Sequence, residues 1–266
     1  MWTRNALTER LNLKWPIFQA PMGSMSTHAL AAAVSKAGGL GGLGMWGFSA
    51  EDAERRIAGF RQQCGGSLNV NYPLWPTPKI VPEISEPMRR HLQVYYDAKG
   101  LGAVPTPRGS AGEVSPEHLS MLLRAKPEMV SFHFGLPDAE ILRAIREAGI
   151  FVVSSATTVA EARALEARGV DAIIAQGTEA GGHRGTFTGT DMTMQPGLFA
   201  LLPQVVDAVR VPVIAAGGVA DGRTAAAAFV LGASAVQVGT AFLRCEEANV
   251  LDAHRAALAE ADDACT

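Results

Sequence analysis

One histidine, His183, lies in a glycine-rich loop that directly follows a short apolar segment, Ala172–Ala175. The loop reads QGTEAGGHRG over residues 176–185. Glycines let the backbone approach a ligand closely, and an imidazole side chain titrates near neutral pH. These residue types at this spacing predict that His183 is a catalytic base.

Two later segments each end an apolar run with small residues. The segment VPVIAAGG ends at Gly217 and Gly218, and the segment AVQVGT ends at Gly239 and Thr240. In a (β/α)8 barrel, the loops after the seventh and eighth strands commonly bind phosphate through backbone N–H groups. We therefore predict that these segments are those two strands, and that the four residues at their ends contact a phosphate group.

Short apolar segments alternate with helical patterns along the whole chain, which favours parallel βα units. The eight predicted strands are Pro16–Ala20, Gly39–Leu43, Ser67–Asn71, Met129–Phe134, Ile150–Ser154, Ala172–Ala175, Val213–Ala216 and Ala235–Val238. A proline-rich connection over residues 72–128 separates the third strand from the fourth, with helices predicted near Glu86–Lys99 and Pro116–Ala125. We expect one α/β domain over residues 1–266, a TIM barrel that carries this connection as an insertion.

Composition narrows the class of protein. The 266 residues are 48% hydrophobic and 18% charged, which suits one large core, and the net charge of −3 gives no basic surface for nucleic acid or an acidic membrane. Three cysteines without a Cys-x-x-Cys pair predict neither a disulfide framework nor a metal site. Because the charged N-terminus lacks the apolar core of a signal peptide, the expected location is cytoplasmic and the expected partner is a small molecule.

Five motifs occur in a fixed order along the chain. They are PIFQAPMG from Pro16, GGLGG from Gly38, FHFG from Phe132, QGxEAGGHxG from Gln176 and VQxGT from Val236. Together they resemble the nitronate monooxygenase family, formerly called 2-nitropropane dioxygenases, over about residues 16–243. The resemblance implies a TIM barrel that binds FMN and uses O₂ to oxidise alkyl nitronates to carbonyl compounds and nitrite, chemistry that belongs largely to the flavin.

The resemblance also implies roles for individual residues. His183 corresponds to the family's catalytic base and His133 to a histidine of the substrate pocket. The expected FMN-binding residues, which include the predicted phosphate loops, are Met22, Asn69, Gln176, Gly181, Gly217, Gly218, Gln237, Val238, Gly239 and Thr240. Amide side chains at strand ends suit the flavin ring because they donate and accept without adding charge. An anionic nitronate needs no base, whereas a neutral nitroalkane must lose its α-proton, and this task is assigned to His183.

Other functions stay open at this point. The same glycine-rich loops would serve an FMN barrel that reduces a quinone or an enoyl thioester with NAD(P)H, a barrel without flavin that acts on a phosphorylated metabolite, or an inactive flavin-binding remnant. Family members usually continue for several tens of residues past the eighth strand, so we expect a short or truncated C-terminus here. The physiological substrate and the oligomeric state are not predicted.

Overall fold

Eight parallel strands form the centre of the protein. The computed structural model describes residues 2–75, 80–106, 112–189, 191, 193 and 195–262. The strands are β1 (Ile17–Gln19), β2 (Gly41–Gly44), β3 (Leu68–Pro73), β4 (Met129–His133), β5 (Phe151–Ala156), β6 (Ala172–Gln176), β7 (Val213–Ala216) and β8 (Ala235–Val238). They pair in the order β1-β8-β7-β6-β5-β4-β3-β2, and a parallel bridge between Phe18 and Leu40 joins the two ends. The predicted (β/α)8 barrel and all eight predicted strands are confirmed.

Ten α-helices are found in the described part of the chain; α1 precedes β1, and one or more helices follow most of the strands. They are α1 (Ala6–Arg10), α2 (His28–Lys36), α3 (Ala50–Gln63), α4 (Pro82–Ala98), α5 (Pro116–Ala125), α6 (Ala139–Glu147), α7 (Val159–Ala167), α8 (Leu198–Ala208), α9 (Gly222–Val230) and α10 (Asp252–Glu260). Several begin at a capping side chain: Ser49, Ser115 and Thr158 each accept an N–H bond from the first turn of the helix that follows. In the described part of the chain, no helix combines the length and the apolar character needed to cross a membrane.

The chain forms two compact units. The first comprises Met1–Leu74 and Val114–Thr266, and the second is Trp75–Glu113, within the predicted insertion. In the second unit, the Gln93 side chain of α4 accepts a hydrogen bond of 3.0 Å from the Val104 N–H, so the chain after the helix folds back along it. The predicted helix at 116–125 is found with those bounds. The predicted start of α4 at Glu86 is wrong, because Pro82 begins the helix, where the missing proline N–H costs nothing.

The barrel interior is apolar in one part and polar in the other. Leu40, Met129 and Ile214 belong to one cluster inside the barrel, whereas Val130 and Ile173 pack outward in the larger cluster that includes the helices. Successive side chains of a strand point to opposite faces. By this alternation, Asn69 faces the interior near the start of β3, and the interior positions further along the strands are Asn71, Ser131, His133, Ser155, Gln176 and Gln237. The interior is therefore polar at the end where TIM-barrel enzymes have their active sites.

Candidate active site

The Gln176 side chain, at the end of β6, holds the backbone of the histidine loop. Its Nε2 donates to the carbonyl oxygen of His183 at 3.0 Å, and its Oε1 accepts from the N–H of Gly185 at 2.8 Å. The guanidinium of Arg184, between them, turns back to donate to the carbonyl oxygen of Gln176 at 2.6 Å. One primary amide can donate and accept at once. Gln176 therefore fixes the backbone of His183, in addition to its predicted role beside the flavin.

His133, at the end of β4, supports the same loop. Its Nε2 lies 3.0 Å from the carbonyl oxygen of His183, and its Nδ1 lies 2.6 Å from the hydroxyl of Ser155. Because a carbonyl oxygen only accepts, Nε2 carries the hydrogen and Nδ1 accepts from the serine. Burial lowers the pKa of His133, which favours the neutral ring that this arrangement needs. His133 was predicted to contact substrate, and in the structure both of its ring nitrogens bond to the protein.

Phe134 places an aromatic ring between the two histidines. Its ring centroid lies 6.1 Å from that of His183 and 4.4 Å from that of His133, both in edge-to-face contact. The backbone of Phe134 has a φ of 68°, in the left-handed region that bulky residues rarely adopt. Strained residues of this kind cluster at functional sites. The strained backbone at Phe134 therefore marks this end of the barrel as a candidate functional site.

This strain predicts an order of stability for two variants. Phe134→Ala and Phe134→Gly both lose the ring, but only glycine adopts a positive φ without steric cost. We expect Phe134→Gly to be about 0.5–1 kcal/mol more stable than Phe134→Ala, after the larger entropy of unfolded glycine is allowed for. Urea unfolding monitored at equal m values measures the difference. An alanine variant as stable as the glycine variant would show that the backbone at this position is relaxed.

The ends of β7 and β8 offer backbone donors to a ligand. Gly217 and Gly218 have φ values of 114° and 65°, conformations that glycine adopts readily. Their N–H groups, and those of Gly239 and Thr240, make no hydrogen bond to any residue that the structure describes. Successive N–H groups in such turns form concave sites for anions. This part of the barrel fits a phosphate group.

The other loops of this end converge on the same donors. A Cβ built at Gly239 would lie 3.9 Å from the Sδ of Met22, in the loop after β1. A Cβ at Gly181 would lie 3.4 Å from the Oγ1 of Thr240, so the histidine loop reaches the end of β8. A Cβ at Gly217 would lie 3.0 Å from the backbone of the histidine loop. Residues predicted from distant parts of the sequence to bind one cofactor are thus neighbours.

Two buried acceptors inside the barrel have no partner among the described residues. They are the Oδ1 of Asn69 and the Oε1 of Gln237. A buried polar atom without a hydrogen bond costs about 1–3 kcal/mol, so a ligand with N–H or O–H donors would bind favourably here. Val238 differs from its neighbours, since its side chain packs on the outer apolar cluster and its carbonyl accepts from Ala20 at 2.8 Å. Any contact of Val238 with a cofactor is therefore through its backbone.

The sequence reasoning missed part of this interior. Asn71 donates through Nδ2 to the hydroxyl of Ser131 at 3.0 Å, and Ser155 bonds to His133. The signal was present, because Asn71 lies two residues after Asn69 and Ser131 lies two residues before His133, on the same faces of their strands. Glu179 also lies in the histidine loop. Its carboxylate accepts from the Leu198 N–H at 2.9 Å, at the start of α8.

Comparison with known proteins shows the family to which the chain belongs. A family model for nitronate monooxygenase matches residues 4–266. A nitronate monooxygenase of Paraburkholderia phytofirmans is 40% identical over 261 residues, which cover 96% of this chain and 70% of that protein. A probable nitronate monooxygenase of Staphylococcus aureus is 38% identical over 259 residues, 97% of this chain and 73% of that protein.

A solved structure is also similar. The crystal structure of nitroalkane oxidase from Streptomyces ansochromogenes aligns with a TM-score of 0.87 at 40% identity, covering 95% of this chain and 72% of the other. The resemblance seen in the five motifs is therefore confirmed. The chain belongs to the nitronate monooxygenase family of flavin-dependent oxidoreductases.

Proposed function

We propose that the protein binds FMN and oxidises alkyl nitronates with O₂ to carbonyl compounds and nitrite, and that His183 extends this activity to neutral nitroalkanes. The observation that carries the proposal is the set of four N–H groups at Gly217, Gly218, Gly239 and Thr240, which have no partner among the described residues and lie at the end of the barrel where His183 lies. FMN carries a terminal phosphate that such donors bind. The relatives named as nitronate monooxygenases support the choice of substrate.

The protein's own residues would bind the flavin and orient the base. The phosphate would accept from the four N–H groups, while the buried oxygens of Asn69 and Gln237 would accept from the polar hydrogens of FMN, which are one N–H of the ring and the ribityl hydroxyls. When bound, the flavin supplies the redox chemistry, taking electrons from the nitronate and passing them to O₂. His183 removes the α-proton of a neutral nitroalkane, which converts that substrate to the nitronate. Gln176 and His133 hold the backbone of His183 during this transfer.

The visible spectrum tests this function directly. The purified protein should be yellow, an alkyl nitronate added without air should change the flavin spectrum, and nitrite should appear once air is admitted. A flavin that ignores nitronate but is bleached by NADH would favour the quinone or enoyl-thioester reductase instead. A protein that stays colourless and does not bind added FMN would overturn the flavin assignment.

Gly217 provides a test of the phosphate loop. Alanine at this position would have an unfavourable positive φ, and its Cβ would lie 3.0 Å from the Ala180 nitrogen, so the loop would shift. We expect Gly217→Ala to bind FMN about tenfold more weakly, the equivalent of about 1–2 kcal/mol of left-handed strain. Titration of the apoprotein with FMN, followed by flavin fluorescence, measures the affinity.

Gly222 is the matched control for this titration. It begins α9, and a Cβ built there meets nothing within 4 Å. Gly222→Ala should therefore bind FMN like the unmodified protein. If Gly217→Ala also bound FMN normally, the phosphate would have to lie elsewhere.

A further inference from the structure

A fully buried carboxylate, Glu161, lies in the first turn of α7, and no role has so far been given to it. Its Oε2 accepts from the N–H and the hydroxyl of Thr157, both at 2.7 Å. Its Oε1 accepts from the N–H groups of Phe187 at 2.7 Å and Thr188 at 3.1 Å. The hydroxyls of Thr186 at 2.9 Å and Thr188 at 3.2 Å also donate to Oε1. Six donors thus surround one side chain.

The two oxygens of Glu161 serve different parts of the protein. Oε2 bonds to Thr157, which immediately precedes Thr158, the residue that caps α7. Among the described residues, Oε1 bonds only to residues 186–188, which directly follow the histidine loop. One oxygen therefore serves the start of α7, and the other serves the segment after the histidine loop.

Glu161 is ionised where it lies. Burial alone raises the pKa of a carboxyl group, but the N–H and hydroxyl donors outweigh this, and the pKa of Glu161 is below its usual value. No salt bridge to Glu161 is found among the described residues, so its hydrogen bonds, together with the nearby charge of Arg184, compensate for the burial of its charge. A buried charge held in this way is costly to disturb, so it holds residues 186–188 in place.

Residues 186–188 directly follow the histidine loop. The backbone of His183 and Gly185 is held by Gln176 and His133, and residues 186–188 come next along the chain. The ring of Phe187 also lies near Gly135, where a built Cβ would be 3.6 Å away. The segment 183–188 is thus held at both ends. The neutral side chains of Gln176 and His133 bond to its first part, and the Glu161 carboxylate bonds to its last part.

We propose that Glu161 is a positioning residue, whose carboxylate fastens residues 186–188 and thereby holds the His183 imidazole in its geometry for proton removal. This inference rests on the proposed role of His183 as the base. Glu161 does not touch substrate, so its loss affects the step that needs the base and spares the oxidation of an already ionised nitronate.

The test compares Glu161→Gln with Glu166→Gln. An amide keeps one acceptor oxygen but places an NH₂ group against the other set of donors. Glu166 lies near the end of the same helix and accepts the Arg210 N–H at 2.5 Å, just before β7, with no bond to residues 186–188, so the same change there controls for lost charge on α7. Two quantities are measured on the flavin-loaded proteins: hydrogen exchange at the amides of Phe187 and Thr188, and turnover of a neutral nitroalkane against its nitronate.

We expect Glu161→Gln to speed exchange at both amides by about 100-fold, and to lower kcat for the nitroalkane about tenfold more than kcat for the nitronate. Glu166→Gln should change neither. If Glu161→Gln does not fold, Thr186→Val removes one donor from Oε1 and leaves the bonds to Oε2 in place, and should lower nitroalkane turnover selectively by about threefold.

Unchanged exchange at the two amides, or equal losses on both substrates, would overturn the inference. The exchange measurement does not depend on turnover. An unmodified protein that does not oxidise nitronate would therefore overturn the proposed function, while the anchoring of the loop by Glu161 would still be decided.

Discussion

Replacing His183 with asparagine should abolish turnover of neutral nitroalkanes and leave much of the turnover of nitronates. A general base contributes about 10²–10⁴-fold to a proton transfer, so kcat/KM for a nitroalkane should fall by that factor. A nitronate has already lost its proton, and its rate should change by less than about tenfold. The loop keeps its place in this variant, because Gln176 and His133 bond to the backbone carbonyl of residue 183 and not to its ring.

Initial rates of nitrite formation with nitroethane and with ethyl nitronate, under the same conditions, measure the two activities. His254→Asn is a suitable control, since His254 lies on α10, outside the candidate site. Equal loss on both substrates in His183→Asn would remove the base assignment. It would indicate instead that the imidazole serves flavin or substrate binding.

Most of the fold could be predicted from the sequence because each strand is a short apolar run followed by helical periodicity. The residues that close the barrel could not be predicted. Strand β1 has three residues, and its link to β2 is the single bridge from Phe18 to Leu40, which leaves no pattern in the sequence. The start of α4 was also missed, since two prolines, Pro82 and Pro87, lie in its first two turns and proline usually argues against a helix interior.

Likewise, one part of the candidate site could be predicted from the sequence and another part could not. The positions of the glycine-rich loops and of His183 after the strands were predictable, since glycine at strand ends has a direct physical meaning; their roles stay predictions. The support of His183 was not predictable, because it consists of bonds from side chains to loop carbonyls and N–H groups that are distant along the chain. The bonds from His133 to His183 and from Glu161 to Phe187 span 50 and 26 residues, and no periodicity connects their ends. Only the folded barrel brings them together.

Gly185→Ala should cause a second large loss, in nitroalkane turnover and in stability, because the added Cβ has no room. A Cβ at this position would overlap the ring of His133 and lie 2.8 Å from the Oγ of Ser155. Neither group can move easily, because each is bonded to the other and the ring is also bonded to His183. The loop must therefore shift. A misplacement of about 1 Å can cost about 100-fold in rate, and overpacking costs about 1–3 kcal/mol in stability, so we expect losses of this size in nitroalkane turnover and in the free energy of unfolding.

The same loop contains a matched control. Gly189 is four residues further on, and a Cβ built there meets nothing within 4 Å. Gly189→Ala should keep both stability and turnover, measured by urea unfolding and nitrite formation. If Gly185→Ala behaved like Gly189→Ala, the loop could relax without moving the imidazole, and the close packing against His133 would not be what positions the base. If only Gly185→Ala lost nitroalkane turnover, the position of the loop backbone would control proton removal, because alanine adds no chemistry of its own.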